Sequence, residues 1–562
     1  MRTLYVHLRW FFFMAGLFFS FLLLSLFVSF SNCILYFSFP IFSSSSLNLD
    51  LSFTLDYISL WFLTVIIVIS MIISVYSYFY MSPYRKSIYF LWTIILFVFS
   101  ILLVVRISNL FFIMLGWDGL GLVSFFLIVY YQNQSSIVSG VFTLLINRLG
   151  DCFFLVSIVF FYYFSSDLFV HTSNVLPRIV LIVLLLTFIT KRALFPFSSW
   201  LPMAIAAPTP ISALVHSSTL VTSGLFLMVR YSYYLYSSYS LIKLFLLVRV
   251  FTSFYAGLNT LFEKDLKKLI ALSTLRHLGF IGLSFSSGLL SLAYFHMLSH
   301  ALFKSLLFMT IGDIIINLSH SQDIRYLSSG YSLTPFSSSL MLVPIINLLG
   351  LPSLVGFFSK DLVLEMLNYS FFSGFVLTIS LINVFFTFYY RFQLFYYSFS
   401  LNKTLPYNNF NSPLFLHSFL MALLSILTLL AGKFFIVYLF PSMFYVVVPV
   451  FLKFFPSFLL VLFIGFIFLF LKLFVFFNPK VRYYFSTIIF LSEVRFKVSS
   501  LTYFLSFSSI IKRYEIGFIR SLVNTLPSVI TYSVARVLFS GSLINPLLIS
   551  LFSLFILLIF LF

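Results

Sequence analysis

The sequence has few charged residues, and this scarcity sets its class. Only 8% of its 562 residues are Asp, Glu, Lys or Arg, whereas 62% are hydrophobic, and the mean hydropathy is +1.14. A soluble chain carries roughly a quarter charged residues, so this composition cannot build a water-facing surface. Because apolar stretches long enough to cross a bilayer recur along the chain, we predict a polytopic integral membrane protein.

Acidic residues and cysteines are also scarce. Lys and Arg number 32 against 13 Asp and Glu, which gives a net charge of +19. The basic residues lie largely in short connections such as 83–86, 263–268 and 478–482, a distribution that fits the positive-inside rule better than nucleic-acid binding. Cys33 and Cys152 are too few for a disulfide framework or a Cys-x-x-Cys metal site, so we expect no redox centre in this chain.

Long apolar runs predict about 15 or 16 transmembrane helices. Lipid tolerates only helices or closed barrels, and these runs lack period-two alternation, so the predicted fold class is all-α. The predicted spans are 10–31, 57–80, 88–106, 109–131, 136–164, 178–195, 205–231, 241–261, 267–285, 289–310, 338–356, 358–370, 372–396, 414–438, 445–476 and 543–562. The less apolar region 478–540 is expected either to lie along the membrane as a long helix or to form a loop with short helices.

Ionisable residues inside apolar spans are costly and mark candidate functional sites. In FHMLSHALFKSLLF, residues 295–308, steps of four place His296, His300 and Lys304 on one helix face. Histidine titrates near neutral pH, and a buried lysine responds to a nearby carboxylate. A row of this kind therefore suits a proton relay.

Four further segments place charged or titratable groups within apolar sequence. They are GWDGLG with Asp118, INRLGD with Arg148 and Asp151, TKRALFPFSSWLP and the following APTPISALVHSS with Lys191, Arg192 and His216, and NLLGLPSLVGFFSKDLVLE with Lys360, Asp361 and Glu365. The last two segments are each interrupted by proline or glycine and each carry a lysine. Paired broken helices of this type point to a transport site, because the breaks expose backbone groups that can solvate an ion or water.

Local structural roles compete with functional ones at several positions. Arg192 and Lys243 are expected to extend their side chains to the lipid headgroups. Asp151 suits either a helix N-cap or a functional role, and His216 suits either local packing or a functional role. Three residues lie too deep in apolar sequence for such roles and are expected to be functional: Asp118, Lys304 and Lys360.

Seven stretches carry a resemblance to a known family. They are LGWDGLGLVSF at 115–125, NRLGD at 147–151, FPFSSWLPMAIAAPTPISALVHSSTLVTSG at 195–224, DLKKLIALSTL at 265–275, HMLSHALFKSLLFM at 296–309, SQDIR at 321–325 and GFFSKDLVLE at 356–365. They resemble the largest antiporter-like membrane subunit of respiratory complex I, the NADH–ubiquinone oxidoreductase chain 5 family. The long block at 195–224 is highly specific.

The resemblance implies two inverted five-helix repeats, each with a broken helix, followed by a lateral amphipathic helix and a terminal anchor helix. The implied organisation is N-terminal transmembrane helices over 1–106, a first antiporter-like repeat over 107–235, a second repeat with the relay to the terminal lysine over 236–400, C-terminal transmembrane helices over 401–477, the lateral surface helix over 478–540 and the terminal anchor over 541–562.

The resemblance also implies a role for each candidate residue in a mid-membrane proton relay. Asp118, at a position where Glu is usual, would pair with Lys191. Lys304 would be the central relay lysine, flanked by His296 and His300. His216 would lie between the halves of the relay and Lys360 at its end. Three carboxylates are secondary candidates: Asp151, Asp361 and Glu365.

The resemblance further implies that the chain is part of an enzyme only as a subunit of the proton-translocating NADH:ubiquinone reductase. NADH, FMN, iron–sulfur clusters and ubiquinone would be bound by partner subunits, and this chain would hold no cofactor or metal. The implied partners are the other membrane-arm and accessory subunits and the lipid bilayer, not nucleic acid. The implied location is the mitochondrial inner membrane, and the 82 phenylalanines fit a T-rich organelle coding strand.

The sequence departs from the family pattern at several positions. Arg192 follows Lys191 where a small residue is usual, Arg276 and His277 replace a Ser-Gln pair, and Arg391 lies two residues before the usual arginine. Two alternative functions stay open at this point. One is a subunit of a cation/proton antiporter of the related bacterial type, which shares the inner relay, and the other is a membrane scaffold that conducts nothing.

Overall fold

The computed structural model describes residues 2–31, 33–43, 48–82, 87–165, 178–318, 320–327, 334–351, 354–369, 374–399 and 415–439. Ten helices among these residues are long and apolar enough to cross a membrane. Helices form here because a backbone in lipid must satisfy its own hydrogen bonds. The predicted helical membrane fold is therefore confirmed for the described part of the chain.

The described helices follow the predicted spans closely. In chain order they are α1 (Arg2–Ser31), α2 (Tyr57–Tyr80), α3 (Ser87–Arg106), α4 (Leu110–Ile128), α5 (Gln134–Ser165), α6 (Arg178–Lys191), α7 (Trp200–Met203), α8 (Thr209–Ile211), α9 (Leu220–Arg230), α10 (Ser232–Tyr236), α11 (Tyr239–Phe262), α12 (Leu266–Ser286), α13 (Leu290–Asn317), α14 (Pro335–Leu349), α15 (Leu362–Tyr369), α16 (Gly374–Phe399) and α17 (Phe415–Leu439). Two π-helical stretches, Ser212–Thr219 and Phe357–Asp361, lead directly into α9 and α15. The predicted spans 445–476 and 543–562 and the predicted lateral helix 478–540 lie outside the described residues.

A two-stranded antiparallel hairpin between α1 and α2 was not predicted. Strands β1 (Leu35–Ser43) and β2 (Asn48–Leu55) pair, with an irregularity in register at Pro40. The hairpin is tied to the start of α4, since Ser108 N donates to the carbonyl oxygen of Ser52 at 3.0 Å. Alternating polar and apolar residues in NLDLSFTL are the period-two signal of a strand, but a length-based search for membrane spans does not detect so short a segment.

The candidates His216, His296, His300 and Lys304 lie on the most deeply buried helical segments, whereas Asp118, Arg148 and Asp151 lie on the less buried helices α4 and α5. The helix over Thr209–Arg230 and helix α12 are buried all round, and α2 and α13 nearly so, whereas α1, α3 and α5 expose much of their surface. Helices that are enclosed on every side can carry titratable groups away from lipid. This central group therefore provides the setting for the candidate site.

Candidate functional site

The first cluster of charges joins α4, α5 and α6. Arg148 Nη1 lies 3.6 Å from Asp118 Oδ2 and 3.5 Å from Asp151 Oδ2. Lys191 Nζ lies 3.7 Å from Asp151 Oδ1 and donates a 3.0 Å hydrogen bond to the carbonyl oxygen of Trp117. Lys191 is fully buried and is the last residue of α6, where the helix dipole favours a cation.

The ion pair predicted between Asp118 and Lys191 is not the one that the structure shows. Lys191 pairs with Asp151, whereas Asp118 pairs with Arg148. The Asp151 side chain is 6% exposed and the Asp118 side chain 31% exposed, so the better-buried carboxylate holds the buried lysine. The Asp118 side chain is one methylene shorter than that of the usual Glu. This is consistent with its carboxylate reaching Arg148 and not Lys191. Asp151 lies in the middle of α5, and its role as an N-cap is thereby excluded.

Arg192 does not extend to the headgroups, contrary to expectation. It is fully buried, with Nη1 3.0 Å from Met228 Sδ and Nη2 donating to the carbonyl oxygen of Leu278 at 3.3 Å. Because α6 ends at Lys191, the chain turns and directs Arg192 inward against α9. Gly224 leaves the room for it, since a Cβ there would lie 3.0 Å from Arg192 Cγ. Lys243 is exposed.

His216 lies in the π-helical stretch that follows the first interruption. Between α6 and that stretch, the chain forms only the short helices α7 and α8 and a 3-10 turn at Ala204–Ala206. The Trp200 ring connects the two sides of this interruption. Its Nε1 donates to the carbonyl oxygen of Thr190 at 3.0 Å, next to Lys191, and its ring centroid lies 6.3 Å from that of His216.

The histidines of α13 face the second interruption. His296, His300 and Lys304 are all buried, and the two imidazole centroids are 6.5 Å apart. His296 Nδ1 lies 3.0 Å from Ser359 Oγ, and Ser359 directly precedes Lys360. The predicted helical row is therefore present, and one hydrogen bond joins it to the segment that carries the terminal lysine.

Two neighbouring helices add residues that sequence reasoning had noted only as departures. His277 of α12 has its ring centroid 5.8 Å from that of His296 and 5.6 Å from that of His300. Arg391 of α16 has Nη2 3.4 Å from His277 Nε2. Tyr390 is fully buried beside them and was not a predicted site residue. The sequence contained one indication of this grouping: Arg276 and His277 on α12 and Arg391 on α16 all depart from the family pattern.

The second interruption separates α14 from α15. α14 ends at Leu349 and is followed by Gly350, whose φ is +79°. The chain resumes helical form in the π-helical stretch with Lys360 and Asp361. Lys360 is buried, its Nζ lies 3.4 Å from Thr387 Oγ1 and 4.9 Å from the Phe388 ring centroid, and it interacts electrostatically with Asp361. Glu365, one turn further along, is also buried.

Replacing Gly350 with alanine is expected to destabilise this segment by at least about 1 kcal/mol, because an L-residue is strained in the left-handed region. An added Cβ would also approach Asp361 Oδ2 to 2.5 Å. Gly16→Ala is the matched control, since nothing lies within 4 Å of the Cβ position there. The midpoint of thermal unfolding of the solubilised assembly should fall for Gly350→Ala only. Equal midpoints would show that the turn does not depend on glycine.

A buried Asp–His pair near the end of α13 was also missed. His417 Nε2 of α17 lies 3.2 Å from Asp313 Oδ1, and the Tyr76 ring stacks on His417 at a centroid distance of 5.3 Å. No family motif in the sequence marked either residue. Only tertiary packing of α13 against α17 brings them together.

The candidate residues fall into two groups, and His216 lies on a separate element, the first π-helical stretch. The first group contains Asp118, Arg148, Asp151 and Lys191, and the second contains His296, His300, Lys304, Lys360, Asp361 and Glu365. The π-helical stretch that carries His216 packs against both α12 and α13. Among the described residues, no group of three or more His, Cys, Asp or Glu side chains is placed to hold a metal ion.

Comparisons with known proteins identify the family of this chain. The family model described as NADH:quinone oxidoreductase/Mrp antiporter, transmembrane, matches residues 108–387, and that for the complex I chain 5 N-terminus matches residues 41–90. NADH-ubiquinone oxidoreductase chain 5 of Locusta migratoria is 41% identical over 426 residues, 74% of this chain and 73% of that protein. The chain belongs to the NADH-ubiquinone oxidoreductase chain 5 family. Chain 5 of Anopheles gambiae is 40% identical over 393 residues, 69% of this chain and 68% of that protein.

Solved structures show that the fold is shared more widely than the chain 5 family. A chain of the Mrp complex from a Dietzia species superposes with a TM-score of 0.67 at 20% identity, covering 93% of this chain and 60% of that one. A chain of the membrane-bound sulfane sulfur reductase, an archaeal respiratory membrane complex, gives a TM-score of 0.61 at 22% identity, covering 70% of this chain and 81% of that one. The chain therefore shares its fold with subunits of these two membrane complexes.

Proposed function

We propose that this chain translocates protons across the membrane as a core subunit of NADH:ubiquinone oxidoreductase. The observation that carries the proposal is the burial of the Lys191, Lys304 and Lys360 side chains inside the protein. Lysine is rare in such positions unless it has a role in transport, because an ammonium ion in a low-dielectric environment is costly. The relay runs from the Lys191 cluster through His216 to Lys304, His300 and His296, and ends at Lys360.

The first cluster would start each transfer. Separating a buried ammonium from its carboxylate partner favours loss of its proton, and restoring the partner favours its return. Asp151 faces both Lys191 and Arg148, so it has two cations between which its pairing can shift. A change in this cluster, imposed by a neighbouring subunit, would release the Lys191 proton toward His216. Water would bridge the gap between the two groups of candidates.

The two interruptions support a repeat organisation over 107–235 and 236–400. Each half of the chain has a long helix that stops at an interruption followed by a π-helical stretch, once with His216 and once with Lys360. Interrupted helices at corresponding positions are typical of transporter sites built from internal repeats. We assign 1–106 and 401–477 to flanking transmembrane helices, 478–540 to a lateral surface helix and 541–562 to a terminal anchor.

The remaining assignments follow from the family. The electron carriers would be bound by partner subunits, and this chain would contribute no redox centre. Its partners would be other membrane-arm and accessory subunits of complex I, and its location the mitochondrial inner membrane. The 10 apolar helices of the described part support a multi-pass chain in a membrane.

Ion specificity distinguishes this function from a cation/proton antiporter. The intact complex is reconstituted in liposomes that contain a pH-sensitive dye, and proton movement is followed after NADH and a ubiquinone analogue are added. We expect NADH to drive proton movement and a sodium gradient alone to drive none. Proton movement on a sodium gradient without NADH would instead support the antiporter. A scaffold predicts that substitution of the relay lysines changes neither result.

A further inference from the structure

Tyr390 is enclosed by cations from three helices. The centroid of its ring lies 4.7 Å from Arg276 Cζ of α12, 5.5 Å from Lys304 Nζ of α13 and 5.4 Å from Arg391 Cζ of α16. All four side chains are at most 1% exposed. Cations at these distances from an aromatic ring are attracted by its quadrupole.

The phenol oxygen of Tyr390 also accepts a hydrogen bond. Arg391 Nε donates a 3.3 Å hydrogen bond to Tyr390 Oη. Lys304 Nζ, 5.5 Å from the centroid of the Tyr390 ring, donates a hydrogen bond to Ser273 Oγ. The lysine at the centre of the proposed relay therefore lies beside a group that can both give and accept a proton.

Among the described residues, no carboxylate is a leading charged neighbour of Lys304 or Arg276. The leading charged neighbours of Lys304 in the described structure are Tyr390, Arg276 and Arg391, and none of them is acidic. Asp361 acts instead on Lys360 and Arg391. Asp361 therefore offsets part of the charge of Arg391, whereas Arg276 and Lys304 have no carboxylate among their leading charged neighbours. Buried cations without an opposite charge are unfavourable, because their desolvation is not repaid. The Tyr390 phenol is the group beside Lys304 that can become an anion.

We propose that Tyr390 is a further proton-transfer residue and forms a proton-sharing pair with Lys304. In one state the proton is on Oη and Lys304 is a neutral amine. In the other it has moved to Nζ, which leaves a phenolate held by Arg276 and Arg391. A proton arriving from the His216 side gives ammonium and phenol together, and release of one proton toward His300 restores the pair. The proposal rests on the proposed function, because it assigns a partner to a relay lysine.

The charged and titratable groups around the pair come from each neighbouring element. They are Arg276 and His277 on α12, His300 on α13, Arg391 on α16, and Lys360 with Asp361 on the π-helical stretch. Arg276 and Arg391 are departures from the family pattern. Their convergence on Tyr390 suggests that the unusual cations stabilise the phenolate state.

Tyr390→Phe tests the proposal, since it keeps the ring and its cation contacts and removes only the hydroxyl. The NADH-driven rate of proton uptake is measured in liposomes that carry the intact complex. We expect the rate of proton uptake to fall at least about tenfold. Loss of a positioned acid–base group typically costs about 100-fold or more, so tenfold is a conservative threshold. Tyr389→Phe is the matched control, because Tyr389 is the adjacent tyrosine and packs in an apolar cluster with Leu364 and Val384.

Lys304→Gln, measured in parallel, separates failure of the inference from failure of the proposed function. Loss of proton uptake in Lys304→Gln together with normal uptake in Tyr390→Phe would overturn the role of Tyr390 alone. Normal uptake in both variants would overturn the proposed function as well. Loss in Lys304→Gln and Tyr390→Phe but not in Tyr389→Phe supports both.

If Tyr390→Phe does not assemble, Arg391→Gln provides a second test through the pH profile. Loss of this cation disfavours the phenolate and favours protonation of both members of the pair. The pH optimum of proton uptake should therefore shift to more alkaline values in Arg391→Gln. An unshifted optimum at normal assembly would overturn the proposal, because a purely structural arginine would lower the rate without moving the optimum.

Discussion

Replacing Lys304 with glutamine is expected to lower the rate of NADH-driven proton uptake by at least tenfold. Lys304 is fully buried, and the imidazoles of His296 and His300 precede it on the same face of α13. Glutamine has nearly the same length but cannot carry a proton at neutral pH, so the relay would lose its central station. The measurement is the initial rate of dye response in liposomes that contain the intact complex.

The control for Lys304 is Lys243→Gln, an exposed lysine on α11. It changes the same charge without touching the relay, and we expect it to retain the normal rate. NADH oxidation with a water-soluble electron acceptor should be the same in both variants, which would show that the complex is assembled. A normal rate of proton uptake in Lys304→Gln would contradict the relay.

Asp151→Asn is expected to reduce proton uptake more than Asp118→Asn does. Asp151 lies 3.7 Å from Lys191 and is nearly fully buried, whereas Asp118 pairs with the partly exposed Arg148. Removing one partner of a buried pair leaves the other charge uncompensated, which typically costs about 3–5 kcal/mol. An exposed pair contributes about 1 kcal/mol or less. We therefore expect a loss of at least tenfold for Asp151→Asn and a loss of a few-fold for Asp118→Asn.

Both aspartate variants are measured by the same dye response, each normalised to the amount of assembled complex. The two substitutions are chemically identical, so each serves as the control for the other. A larger loss in Asp118→Asn would restore Asp118 as the acid that controls Lys191, as the family pattern implies. Equal losses would indicate that the four charges act as one unit.

The helical fold could be predicted because membrane spans are encoded locally. The span predicted at 57–80 coincides with α2, and the interruptions after Lys191 and at Gly350 fall within the segments where proline and glycine predicted them. The hairpin at residues 35–55 was missed because its strands are short and its position depends on contact with the start of α4. Such contacts are non-local and leave little trace in hydropathy.

The candidate site was predictable where it lies on one helix. The row from His296 to Lys304 follows from i, i+4 spacing, and the structure places it as expected. The partner of Lys191 was not predictable, because Asp118 and Asp151 are on different helices and only the packing of α5 on α6 selects between them. Arg192 was placed at the surface because the turn after α6, which directs it inward, is a tertiary feature.

Tyr390 shows a different limit of sequence reasoning. A tyrosine in a run such as TFYYRFQL has no distinguishing mark among the 34 tyrosines of this chain. Its significance appears only when Arg276, Lys304 and Arg391 are seen to surround it. Arg276 and Arg391 are far apart in the sequence but contact the same tyrosine in the structure. Departures from a family pattern therefore help to locate a site when their side chains lie close together.

Native separation of solubilised membranes, followed by an NADH dehydrogenase stain and mass spectrometry of the active band, tests most directly whether this chain works inside an NADH-oxidising complex. We expect the chain to migrate with NADH dehydrogenase activity in a very large assembly. Migration alone, or in a small assembly without that activity, would contradict the proposed function.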